Sequence, residues 1–99
     1  MNKEELEKYV EILHKYVKNH KKDIFEFFFN EKESKVLVLY ADAYDTDNCL
    51  EPDEKNYDEY FEMLFKPLNL ETDKYIIVNY KNLPYKVLCN EELVYEKKM

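Results

Sequence analysis

The stretch "DIFEFFFNEKESKVLVLYADAYD", residues 23 to 45, constrains the fold more than any other part of the chain. Aromatic and β-branched residues crowd two runs separated by a polar one. The pattern predicts a hairpin: a strand over Ile24 to Phe29, a turn over Asn30 to Lys35, and a second strand from Val36 to about Asp45. In the second strand Leu37, Leu39, Ala41 and Ala43 share one face, while Val36, Val38, Tyr40 and Tyr44 share the other with Asp42. Both faces are apolar until the strand reaches its acidic end. Such a strand calls for cover on both sides, a helix on one and some further element on the other. "FEFFF" and "VLVLY" would aggregate if exposed, which places them inside the fold or a complex.

The helix is found upstream. Leu6, Tyr9, Val10, Leu13, Tyr16 and Val17 recur at three- and four-residue spacings, predicting an amphipathic helix over residues 3 to 20 whose apolar face packs on the sheet. Asn2 with Glu5 fits a capping box, and Lys18, Lys21 and Lys22 complement the negative end of the helix dipole. Residues 57 to 68 fit either period. The favoured reading is a helical turn over 53 to 60 running into a strand to about Lys66, ended by Pro67. "LNLETD" reads as a turn, "KYIIVNY" as a strand, "KNLPYKVLCNEE" as a loop around Pro84, and "LVYEK" as a last short strand. The expected class is α+β, one domain over residues 1 to 99, with the N-terminal amphipathic helix packed on a mainly antiparallel sheet of four to five strands.

Two absences exclude whole function classes. The 99 residues contain no glycine. This removes the Walker loop, the dinucleotide fingerprint and the nucleophile elbow, and with them the usual nucleotide cofactors, so no cofactor is expected. All 15 basic residues are lysine. Without arginine, bidentate recognition of phosphate or guanine is out of reach, and a net charge of -7 opposes direct nucleic-acid binding. The longest apolar run, Val36 to Ala41, falls far short of the roughly 20 residues that span a bilayer. "MNKEELEKYV" has no apolar core of a signal peptide, so a cytoplasmic location is expected, with Cys49 and Cys89 as free thiols.

The charge is concentrated. Residues 41 to 62 carry nine acids against Lys55, a net of -8, while residues 1 to 40 balance to 0 and residues 63 to 99 to +1. Four readings of this segment compete. It could be a solvated loop that keeps a strand-rich protein soluble. It could be a calcium loop, since Asp45 and Asp47 have the first two ligand spacings of an EF-hand. Cys49, Leu50 and Asn56 then stand where a ligand, a glycine and a glutamate belong, leaving at most an irregular metal site. Paired carboxylates could serve glycoside hydrolysis, but a chain this short is not expected to wall a sugar-sized cleft. Finally, it could be an acidic protein-binding face. Carboxylates two apart on a strand lie about 7 Å from each other, comparable with the spacing of phosphates along a nucleic-acid strand. On that reading Asp42, Asp45, Asp47, Glu51, Asp53, Glu54, Asp58 and Glu59 supply charge, and Tyr44 and Tyr57 supply aromatic anchors alongside Tyr60.

Catalytic candidates are few. His14 and His20, six apart, point to different sides of the helix and read as a surface or boundary pair. A zinc site from Cys49, Cys89 and both histidines lacks any close cysteine pair. Ser34, the only serine, has no evident base beside it. Cys89, after Val87 and Leu88, reads as a small core residue.

The strand entering "YDTDN", the acidic stretch, "EYFE" and "VNYKNLP" together resemble a pattern found in short uncharacterised proteins of Gram-positive bacteria and their prophages, over residues 42 to 84. Such proteins often have glycine where Cys49 stands, so the resemblance implies a different turn there. It also implies phage or mobile-element ancestry, where tiny acidic proteins inhibit host defence or neutralise toxins. The expected function is therefore a non-enzymatic inhibitor of the anti-CRISPR kind. A nucleic-acid-mimicking surface would dock on a basic, nucleic-acid-binding partner, with the protein acting as a monomer or homodimer. A toxin immunity protein is the alternative; gene neighbourhood separates the two.

Overall fold

The structure, a computed structural model, describes residues 1–30 and 35–97. Its elements are α1 (Lys3–Lys18), β1 (Ile24–Phe28), β2 (Val36–Asp47), β3 (Glu59–Pro67), β4 (Ile76–Val78), β5 (Lys86–Cys89) and β6 (Glu92–Glu96). Asn2 caps α1, its side chain accepting the Glu5 N–H at 2.9 Å, and Lys15 and Lys18 close the last turn. The strands form one sheet in the order β4-β3-β2-β1-β5-β6, antiparallel at every pairing. The expected α+β class holds, but the sheet has six strands where four to five were expected. The extra one is β5, in the stretch read as a loop. Four residues beside Pro84 give too short an alternation to be read alone, and β5 forms because β1 and β6 pair with it on both sides.

The hairpin of β1 and β2 is present, with Ile24 paired to Leu39 and Phe27 to Val36. The middle of its turn, with Ser34, lies outside the described residues. No helical turn precedes β3. Residues 51 to 57 instead make two successive tight turns, with the Glu54 N–H donating to the Glu51 carbonyl and the Tyr57 N–H to that of Glu54. The strand reading won because Phe61, Met63 and Phe65 all turn toward the core. Pro67 ends β3, as expected.

α1 lays Val10, Leu13 and Val17 on Phe25, Phe27, Val38, Met63, Phe65 and Val87. Phe65 is met edge-on by Phe27, with ring centroids 4.8 Å apart, and by Phe25 at 6.1 Å. Truncating one of these phenylalanines to alanine costs about 3–5 kcal/mol. Tyr95 is buried and donates to the Pro84 carbonyl at 2.7 Å, so its hydroxyl is satisfied. Cys89 is a core thiol, and burial pushes it up to about 11, far from thiolate chemistry.

Two departures matter for function. Ala41 has no partner on β3: the register passes from Tyr40–Phe65 to Asp42–Leu64. This bulge reverses the alternation of β2. Asp42 and Tyr44 therefore leave the face of Tyr40, and Ala43 and Asp45 join it, contrary to simple alternation along the strand. Moreover, α1 covers only one face of the sheet, and among the described residues no element covers the other.

Candidate functional site

Beyond the bulge, β2 and β3 run on together past the end of the core, and α1 passes over them. The space between is a cleft of about 770 Å³. Its sheet wall is Asp45, Thr46, Asp47, Glu59, Tyr60 and Phe61, joined by Tyr57 from the segment before β3; its helix wall is Glu7, Val10, Glu11 and His14. A cleft of this size was not expected of so short a chain, and the bulge is its cause, since it turns Asp45 and Asp47 toward the helix. Five carboxylates and no lysine line it. The lining also includes Phe61, on which the His14 ring packs at 4.4 Å, together with Tyr57 and Tyr60. Burial and the nearby Lys18 hold His14 below its ordinary value.

Asp47 and Glu59 stand directly opposite each other on neighbouring strands. Like charges in that position destabilise a sheet, so the fold carries this pair at a cost. The cost is partly relieved. The Tyr57 hydroxyl donates to Glu59, which pushes the phenol up to about 12. Asp47 Oδ1 accepts the Cys49 N–H at 2.8 Å, closing a turn in which Cys49 takes φ 66°. That is the left-handed backbone region that glycine tolerates best, so a glycine there would adopt the same turn, and no different turn is needed. Asn48 then ties the loop shut, accepting the Asp58 N–H at 3.2 Å and donating to the Asn56 carbonyl at 2.7 Å.

Asp58 is held differently. Lys3, from the first turn of α1, and the Tyr80 hydroxyl both donate to its carboxylate, and Lys81 lies 3.6 Å away. Lys3 also donates to the Glu59 carbonyl at 2.7 Å. Lys81 sits over the Tyr60 ring at 5.1 Å, and the Tyr60 and Tyr80 rings meet edge-on at 5.8 Å. The bonds from Lys3 and then Tyr80 hold the Asp58 carboxyl below the usual carboxylate range, and Tyr80 is pushed up to about 12 in return. This knot fastens the start of α1 to the start of β3 and so fixes one end of the cleft.

The ten residues singled out in the sequence thus divide. Asp45, Asp47, Tyr57 and Glu59 line the cleft. Asp42 and Tyr44 lie on the opposite face, where the Tyr44 hydroxyl donates to Glu62 at 2.6 Å. Glu51, Asp53 and Glu54 remain on the exposed loop, and Asp58 is neutralised within the fold. Glu7, Glu11 and His14 were missed. Their 7, 11, 14 spacing, one stripe of α1 beside Val10, was the available signal.

Cys49 is exposed in the loop and Cys89 is buried in the core, while His20 packs on Tyr16, so the conceivable zinc quartet is not assembled. Among the described residues no three His, Cys, Asp or Glu side chains are arranged to hold a metal ion, and none of the helices is long and apolar enough to cross a membrane. Compared with protein-family models, curated proteins and solved structures, the chain matches none.

Proposed function

We propose that this protein is a non-enzymatic inhibitor, a phage-borne anti-defence protein of the anti-CRISPR kind, that docks its acidic end on a basic, nucleic-acid-binding surface. The observation that carries the reading is the cleft: five carboxylates without a lysine, interleaved with aromatic rings. Such a recess suits the ammonium or guanidinium of a partner's side chain, which gains from nearby carboxylates and from ring faces together. Asp45 and Asp47, two apart on one strand face, offer the partner a charge repeat like that of a nucleic-acid backbone. The opposed Asp47 and Glu59 favour binding over mere solubility, because a solubilising charge needs no destabilising position.

The test is affinity capture from host-cell lysate with wild-type protein and with D45K/D47K/E59K as bait. A partner retained by the wild type, displaced by duplex DNA and lost by the variant supports the reading. Equal capture by both baits would end it.

A further inference from the structure

Across the open face of the sheet runs a diagonal apolar stripe. Ile24 and Leu39 are paired at its centre; Leu64 and Ile77 continue it on one wing, Leu88 and Leu93 on the other. Ile24, Ile77 and Leu93 are 47%, 45% and 55% exposed. An antiparallel sheet that faces water ordinarily turns polar residues to that side. Here the polar residues, Glu26, Asp42, Glu62, Lys66, Lys86 and Glu96 among them, flank an unbroken apolar stripe.

We infer that a second copy of the chain covers this face, giving a two-fold dimer of two sheets packed face to face. Three observations point to a copy of itself. The stripe is balanced about its own middle: the Ile24–Leu39 pair lies between β1 and β2, with three strands on each side and two apolar residues on each wing. A two-fold axis at that pair lays the Leu64–Ile77 wing of one copy on the Leu88–Leu93 wing of the other, which is the self-complementarity an isologous interface requires. The charge also fits. Lys35, Lys66 and Lys86 are set against Glu26, Asp42, Glu62 and Glu96, so this face is nearly neutral in a chain of net -7. Lys35 already pairs with Glu26 within the chain, so two copies meet here with the least repulsion. The size is adequate as well. Six strands about 4.8 Å apart, taller where β2 and β3 extend, make a face on the order of 600 Å² in projection. Side-chain relief brings that near the ~800 Å² per partner of a standard interface. The surface spans all six strands, which suits a second sheet packed about 10 Å away better than a single helix in a groove.

Sedimentation velocity on the full chain tests this. Wild-type protein, followed from about 1 µM to about 300 µM, sediments as a dimer with a monomer–dimer equilibrium inside that range. Ile24→Lys places two ammonium groups at the axis and weakens dimerisation about 100-fold or more. Ile24 is exposed, and a circular dichroism spectrum and melting curve like the wild type's show that the variant is folded. D45K/D47K, on the other face, leaves the dimer constant unchanged, which separates this interface from the acidic cleft. A wild-type chain that stays monomeric to the highest concentration overturns the dimer, and so does a folded I24K that dimerises as tightly as the wild type.

Discussion

Asp58 and Asp47 sit eleven positions apart in the same acidic segment, yet the fold treats them in opposite ways. Asp58 is surrounded by Lys3, Lys81 and Tyr80, drawn from both ends of the chain. Asp47 is placed across from another carboxylate and lines a recess that contains no lysine. The difference shows that a net of -8 in sequence is not a uniform surface. One part is spent holding α1 to β3, and another is left to face whatever enters the cleft.

The largest effect expected from this contrast is on binding. D45K/D47K removes capture of a basic partner by about 100-fold or more while the melting temperature stays within a few degrees of the wild type; unfolding of the variant would place these residues with Asp58 instead. Next comes Asp58→Ala. Loss of its charge-assisted bonds lowers stability by about 2 kcal/mol in chemical denaturation and leaves the cleft carboxylates in place. A change near zero would remove the knot from the account. Cys49→Gly, at a left-handed position, raises stability by about 1 kcal/mol, and the denaturation midpoint reads it. The smallest effect is that of Asp47→Asn. It keeps the oxygen that accepts the Cys49 N–H, removes the like-charge pair, and gains about 0.5 kcal/mol while binding weakens.

The knot also sets a pH signature. The Asp58 carboxyl is lowered in the folded state, so its contribution is fully present above its unfolded value near 4 and is lost as pH falls through the folded value. Lys3 and Tyr80 are raised, so theirs is present below about pH 10 and is lost as pH rises past it. Asp58→Asn flattens the acid limb of a plot of melting temperature against pH, and an unchanged acid limb contradicts the assignment.

Much of the fold was legible because it rests on local periodicity. The Leu6–Val17 stripe, the Asn2 cap and the hairpin of "FEFFF" and "VLVLY" are properties of short windows. β5 was not legible, because four residues become a strand only through the neighbours on each side. Nor was the bulge at Ala41, which no composition marks and which turns Asp42 away from the site and Asp45 into it. The acidic half of the site was visible as a charge run. Its helix half, Glu7, Glu11 and His14, was hidden in an ordinary solvated face until the fold set it opposite. Asp58 looked like its neighbours for the same reason: Lys3 and Tyr80 are 55 and 22 residues away.

On the proposed function, the cleft carboxylates, and not the exposed loop, receive a cation. Backbone amide shifts followed by NMR during titration with a tetralysine peptide test it most directly. The expected shifts are concentrated at Glu7, Glu11, Asp45, Thr46, Asp47 and Glu59, and are lost at high salt and in D45N/D47N. Shifts centred on Glu51, Asp53 and Glu54, with the cleft amides unmoved, would contradict it.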